Sequence, residues 1–439
     1  MATGTTAPAI EVGELIDSRP VGRLQVRIIV LCGLVMLLDG YDVQVMALAV
    51  PSVAASWGLP ASSFGLTLSA ALVGLGIGGA FIAPLGDRVG RRPVMVLTLA
   101  LAGLATLGTV LSANLTHFVL WRLLTGVGIG ASLANATALT SEYMPARKRT
   151  WLTCVMYCNI ALGGFFAGLI APWLLNHTDW RGLFLFGGAG AVLVAALVSL
   201  AVPESLKFLI ARRPGHRSIR RIVGLIAPHA DPDDVAVAPE IARRRSVFDL
   251  LGRDYLGRTL LLWTLYVFTA FIIYILASWL PTLLGQAGWP RDQALRGSVM
   301  FQLGGVAGSV LLSLLVDRGG LRTAFMLGYA ICAAALVGML LTPSAFLIWS
   351  SLMILVGVGI SGCQCLVVAM AAAFYPMTIR ATGVGWAVTV GRLGSVTAPL
   401  LGGALMHVLT PVQMLGVLVA PALLCMAASL RLRREWLQA

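Results

Sequence analysis

The sequence predicts an all-α integral membrane protein with twelve transmembrane helices arranged as two parallel six-helix repeats. Composition, recurring apolar runs and an internal repeat carry that prediction. Of 439 residues, 58% are hydrophobic and only 11% charged, whereas soluble domains carry about a quarter charged residues. Apolar runs of about 20 residues recur, each able to cross a hydrocarbon core of about 30 Å at about 1.5 Å per residue. Sliding the second half over the first aligns Pro51 with Pro281, Gly74 with Gly304, and Asp87, Arg88 and Gly90 with Asp317, Arg318 and Gly320. One residue further along, Gly126-Val-Gly-Ile129 aligns with Gly357-Val-Gly-Ile360, Pro145 with Pro376, and Arg149 with Arg380. The two halves are duplicates in the same orientation.

In chain order the spans cover 27–50, 61–85, 93–112, 117–141, 150–175 and 181–202, then 259–284, 297–316, 322–341, 344–373, 380–407 and 411–430. The first six make an N-terminal half, 27–202, behind a tail, 1–26. The last six make a C-terminal half, 259–430, before a tail, 431–439. Between them lies the one long polar segment, 203–258, with Arg212, Arg213, Arg217, Arg220, Arg221 and the run Arg243 to Arg245. It reads as a central cytoplasmic loop.

A net charge of +13 raises the question of nucleic acid binding, but the distribution answers it. With the N-terminus inside, the inner segments hold most of the basic residues, from Arg19 to Arg434, and the outer loops hold only Arg181, Arg291 and Arg296. That asymmetry is the positive-inside rule, and it predicts both termini in the cytoplasm. The N-terminus carries Glu11, Glu14 and Asp17 and shows no cleavable signal peptide. All seven cysteines fall in apolar spans and read as small hydrophobes rather than disulfide partners or metal ligands. The glycines at 74, 76, 78 and 79 and at 126, 128 and 130 read as close helix packing, since no strand precedes them. No P-loop or catalytic constellation stands in the polar segments. The sequence therefore predicts neither an enzyme nor an ATP-driven pump, and no cofactor.

Away from the span ends four charges stand out, where each costs about 2.5 to 3.5 kcal/mol on insertion scales and marks a functional site by default. Asp39 and Asp42 lie in helix 1, about 18 and 22 Å from the inner face. Arg122 in helix 4 lies roughly 9 Å below the outer face, and Arg392 in helix 11 roughly 12 Å below it. All four can share one layer. Spacing of i, i+3 puts both carboxylates on nearly one face, where closeness and poor hydration favour retention of one proton. The repeat places Thr269, Ile272, Met353 and Ala161 at the equivalent positions, so the architecture alone does not demand these charges. The competing reading is structural: an aspartate that only neutralises Arg122, and an Arg392 that serves as a counter-ion. No acid is evident in helices 7 to 12 away from Asp317, which makes Arg392 a receiver for a substrate carboxylate through two parallel hydrogen bonds.

Parallel six-helix repeats are the architecture of the major facilitator superfamily, with a mid-membrane site between the halves. Leu85-Gly-Asp87-Arg88-Val-Gly90-Arg91-Arg92 resembles its signature loop between helices 2 and 3, and Asp317-Arg318-Gly-Gly320-Leu-Arg322 is a degenerate copy. The resemblance implies a cytoplasmic latch between the halves, with Asp87, Arg88, Gly90, Arg91, Asp317 and Arg318 as its gating residues; a basic turn that only sets topology is the alternative. Asp39-Gly-Tyr-Asp42, Arg122-Leu-Leu-Thr-Gly126, Ser141-Glu142, Ser278-Trp-Leu-Pro281 and Ile379-Arg-Ala-Thr-Gly-Val-Gly-Trp386 leading to Gly391-Arg392-Leu-Gly394 resemble the aromatic acid:proton symporters. That resemblance implies uptake of benzoate-type acids with protons, and helix 1 aspartates essential to it. Around Cys363-Gln364-Cys365, helix 10 departs from the pattern.

The expected function is a bacterial inner-membrane symporter importing a hydroxybenzoate-type acid by alternating access, acting as a monomer and driven by the proton gradient. An aromatic acid needs apolar walls and ring faces, for which Tyr41, Phe165, Tyr266, Tyr274, Trp279 and Trp386 are candidates, with Gln364 or Asn159 for a ring hydroxyl. Each could instead be packing. Glu142 is read as a release-side proton site or as a partner of Arg147 or Arg149. A proton-driven exporter and a membrane sensor of aromatic acids are the rival functions. Against export, helix 5 ends Gly168-Leu-Ile-Ala-Pro172-Trp, without the Gly-Pro and following glycine pair of antiporters.

Overall fold

With no water in a bilayer core, a chain must bond its own N–H and C=O groups, and these apolar runs do so as long helices. The computed structural model describes residues 10–213, 215–228, 235–236, 247–252, 255–317, 320–375 and 377–432. Helix α1 covers Arg23–Trp57, α2 Ala61–Val89, α3 Arg91–Thr109 and α4 Leu115–Tyr143. The stretch Ala146–Ala201 is broken at Asp179, whose φ of 60° and ψ of −168° end α5 (146–178) and start α6 (180–201). In the second half α7 is Leu256–Gln286, α8 Arg291–Asp317, α9 Leu321–Leu341, α10 Phe346–Ala373, α11 Met377–Leu405 and α12 Pro411–Ser429. These are the twelve expected spans.

The repeat reappears as packing. At the α1–α5 crossing a Cβ on Gly40 would sit 1.8 Å from the carbonyl oxygen of Ile160, and one on Gly163 1.9 Å from that of Leu37. In the second half Gly394 of α11 meets α7 in the same way, 2.0 Å from the Val267 oxygen. Small residues at such crossings let backbones touch, which substitutes for the hydrophobic drive that lipid does not supply.

Two segments read as a tail and a polar loop are more ordered than that. Residues Val12–Asp17, Leu206–Arg212 and Arg217–Ile226 are helices, and Ile10–Glu11 pairs in parallel with Val235–Ala236. Val12, Leu15 and Ile16 share one buried core with Ile219, Ile222, Val223 and Ile226. The i, i+3, i+4, i+7 spacing of those isoleucines and valine makes an apolar stripe that arginines hide from a composition count. This small layer docks on the first half, where Asp17 Oδ1 accepts from the Ala146 N–H at 2.6 Å. Arg243 to Arg245 lie outside the described residues.

The described ends of the chain, at Ile10 and Leu432, and the described parts of the central segment are on one face of the bundle, here the termini face. The halves meet toward the opposite, far face. There Ser69 Oγ of α2 donates to the Val396 oxygen of α11 at 2.8 Å, Gln302 Nε2 of α8 donates to Gln44 Oε1 of α1 at 2.9 Å, and Arg291 Nη2 donates to Ser52 Oγ at 2.8 Å. A Cβ on Gly65 would fall 2.9 Å from the Pro399 oxygen, so α2 and α11 are in backbone contact near their far ends. Among the described residues every hydrogen bond between the halves lies in this far portion. The halves are thus joined on the far side, and among the described residues no hydrogen bond joins them toward the termini.

Candidate functional site

Close packing of Gly40 against α5 fixes the rotation of α1, and so sets where its two acids point. Asp42 turns into the first half. Its two oxygens accept from Arg122 Nη1 and Nη2, both at 2.6 Å, with Arg122 only 1% exposed. Such a two-bond pair is the strong geometry for guanidinium and carboxylate. Asp39 is buried as well, 7% exposed, but its Oδ1 has no hydrogen-bond partner. The two aspartates therefore differ: one is locked and one is unsatisfied.

Arg392 of α11 faces them from the second half. It lies within electrostatic reach of Asp39, Tyr266 and Tyr274, is half-buried, and makes no side-chain hydrogen bond or ion pair among the described residues. The missing side chain at Gly391 admits the Tyr266 ring, 2.1 Å from where a Cβ would be, which seats Tyr266 beside the guanidinium. Tyr157 of α5 lies within electrostatic reach of Tyr266 from the other half and is 38% exposed. At the pseudo-equivalent of Asp39, Thr269 Oγ1 bonds the Tyr329 hydroxyl at 2.7 Å. The second half thus has a neutral pair where the first has its charges.

Several expected pocket residues are placed elsewhere. Tyr41 points into the first half: its hydroxyl donates to the Leu183 oxygen at 2.9 Å and its ring lies 5.8 Å from Phe186. Trp279 is fully buried between α7 and α11, its Nε1 donating to the Pro399 oxygen at 3.1 Å. Asn159 spends its amide on the Val155 and Met156 oxygens of its own helix, beside Gly33. Phe165 is half-buried against Phe166. Trp386 is 40% exposed two turns toward the termini from Arg392, and Gln364 has a buried Oε1 without a partner. Gln44, Gln302 and Tyr157 were not singled out in the sequence. A lone polar side chain in an apolar span was the available signal for all three.

At the termini face, Arg91 ties the signature loop to its own half, with Nη2 2.9 Å from Glu142 and 3.1 Å from Asp87. Glu142 also accepts from the Ser205 hydroxyl, so among the described residues its partners are Arg91 and Ser205 rather than Arg147; the side chain of Arg149 lies outside them. Glu204 caps α3, its Oε1 accepting from the N–H groups of Arg91 at 2.9 Å and Arg92 at 3.3 Å. Gly90 is required here: its φ is 122°, and a Cβ would fall 2.3 Å from Glu204 Oε2. Arg88 is exposed. Among the described residues this loop makes no hydrogen bond or ion pair with the second half; it latches α2, α3 and α4 together. The side chain of Asp317 and all of Arg318 lie outside the described residues.

A cleft between duplicated helical halves, with buried charges at its middle, defines a membrane transporter rather than an enzyme. Comparison with known proteins agrees. The family model described as Major Facilitator Superfamily matches residues 32–399 and again 298–435. The chain is 36% identical to the 4-hydroxybenzoate transporter PcaK of Pseudomonas aeruginosa, with 96% of each chain covered. It is 33% identical to the gallate transporter of Pseudomonas putida over 90% of this chain and 89% of that one. A crystal structure of a D-xylose-proton symporter superposes with a TM-score of 0.73 at 18% identity, covering 94% of this chain and 99% of that one. The chain belongs to the Major Facilitator Superfamily and, within it, to the aromatic acid:proton symporter family.

Proposed function

We propose that this transporter imports a hydroxybenzoate-type acid together with protons across a bacterial inner membrane, with the termini face in the cytoplasm. One observation carries the reading: a guanidinium, Arg392, and a buried carboxylate, Asp39, both without a hydrogen-bonded partner among the described residues, oppose each other between the halves. An aromatic carboxylate binds Arg392 through two parallel hydrogen bonds, with Tyr266 and Tyr274 beside it as ring faces. Substrate and Asp39 then compete for one guanidinium, and a proton on Asp39 removes the competition. Substrate and proton bind as a neutral set, which gives symport its chemistry. Asp42, held by Arg122, keeps α1 in register with α4 while this happens. Two named relatives are transporters of 4-hydroxybenzoate and gallate, both hydroxylated aromatic acids, which supports the substrate class. The basic residues of the termini face support its cytoplasmic placement, and the proton gradient serves as the only energy source, without a cofactor.

The test is uptake of labelled 4-hydroxybenzoate into proteoliposomes with and without an inward proton gradient, for wild type and Asp39→Asn. Gradient-driven accumulation that the variant loses is the expected result. Wild-type uptake indifferent to the gradient would remove the proton from the mechanism, and gradient-driven expulsion would reverse the direction.

A further inference from the structure

The far face holds a second cavity that the transport reading does not use. A groove of about 700 Å³ lies between the far ends of α1, α5, α7 and α8, within the range of about 300–1,000 Å³ that holds small ligands. Its lining begins at Leu48 on α1 and ends at Leu295 on α8. The Gln44–Gln302 bond therefore lies between it and the cleft of Asp39 and Arg392. Both halves line it.

Its chemistry is one-sided. Trp180 and Trp289 give it aromatic walls, and Arg291 gives it a cation. Arg291 has no carboxylate partner among the described residues and donates only from Nη2, to Ser52, although a guanidinium has five N–H donors. The acid in the lining, Asp179, is taken by Arg181 at 3.1 Å. Two of the lining residues also carry buried polar atoms without partners among the described residues, Trp180 Nε1 and Thr282 Oγ1, on side chains 2% and 5% exposed. Buried polar groups are seldom left unpaired, so each unpaired one calls for a partner.

From this we infer that the groove is an entry site, which captures the aromatic carboxylate on the far face before the cleft opens to it. Arg291 holds the carboxylate, the edges of the two indoles, whose faces pack on Arg181, Phe118 and Phe346, border the ring, and Trp180 Nε1 and Thr282 Oγ1 are the groups that bond a ring hydroxyl. The identity of the ligand rests on the proposed function; the site itself rests on the groove. Because the groove lies between the halves, their parting on the far face joins it to the cleft below and passes the ligand inward.

Two measurements test this. Quenching of tryptophan fluorescence by 4-hydroxybenzoate follows binding directly. Arg392→Ala should keep a saturable phase that adding Arg291→Gln weakens at least tenfold. In cells, Arg291→Gln should raise the KM for uptake at least fivefold, with kcat within twofold, and leave efflux from preloaded cells unchanged. Ser52→Ala separates ligand binding from gating, because it removes the Arg291 bond between the halves and leaves the cation in place; its KM should match wild type. If Ser52→Ala raises KM as much as Arg291→Gln, Arg291 is a gate contact and the entry site is overturned. It is overturned equally if Arg291→Gln alters uptake and efflux alike, or leaves both the residual binding and KM intact. Saturable binding that depends on Arg291 in a wild type that accumulates no acid would sustain the site and overturn the transport reading alone.

Discussion

Asp39 and Asp42 sit three residues apart on one helix and have opposite situations, which makes them separable by mutation. Removing one partner of a buried ion pair strands the other charge and costs about 3–5 kcal/mol. Arg122→Ala should therefore lower the stability of the purified protein by about that amount in a denaturant or thermal melt, since Arg122 is 1% exposed and gives Asp42 two bonds of 2.6 Å. Asp39→Asn breaks no bond that Asp39 Oδ1 makes. It should melt within a few degrees of wild type while losing accumulation. Equal destabilisation by the two variants would mean that Asp39 has a structural partner. Arg392→Lys keeps the charge but loses the planar fork, and should cut the apparent affinity for the acid at least tenfold in a competition assay. These charges were legible in the sequence because a charge in an apolar span is costly and conspicuous. Tyr41 and Trp279 were not, because an aromatic on a buried helix carries no mark of which neighbour it faces. Tyr41 faces α6 and Trp279 faces α11, and only the packed structure decides that.

Helices rather than side chains set the site's precision, and their spacing depends on absent Cβ atoms. Gly163→Ala would put a methyl 1.9 Å from the Leu37 oxygen, two residues from Asp39. Backbone cannot yield as a flexible side chain can, so α1 and α5 must separate. The expected outcome is loss of folded protein in detergent, or a folded remnant in which Asp39→Asn no longer changes transport. Wild-type yield and activity would show that the crossing is loose enough to admit a methyl group. The spans and the repeat were readable because twenty-residue apolar runs leave few alternatives. The tail and central segment misled for a definable reason: Arg217, Arg220 and Arg221 dominate the composition of 217–226, while Ile219, Ile222, Val223 and Ile226 supply a buried stripe that only a 3.6-residue period reveals. Glu204 escaped notice similarly, since a capping carboxylate looks like any other acid until the N–H groups of Arg91 and Arg92 are found at its oxygen.

Which face is shut could not be read from a duplicated sequence, because both halves offer small residues at both ends. The structure answers with three hydrogen bonds at the far side, of which Gln44–Gln302 is nearest the charges. Gln44 is 1% exposed and two residues beyond Asp42, so the helix turns it toward α8 while Asp42 turns toward α4. Opening the far face must break this bond, and only the open state brings water to the freed amides. Gln302→Leu removes the partner without emptying the space that Gly164 leaves for it, where a Cβ would lie 2.3 Å from Gln302 Nε2. A buried polar group left unsatisfied costs about 1–3 kcal/mol, and here that penalty falls on the closed state alone. A coupling of that size shifts a two-state equilibrium by roughly 5- to 150-fold. A reporter at Ala47→Cys shares the Gln44 face at i+3 and is fully buried when the far side is shut. Maleimide added from the far face should label it at least about fivefold faster with Gln302→Leu than without. An unchanged rate would mean that α2 and α11, through Ser69 and Gly65, hold the far side shut by themselves.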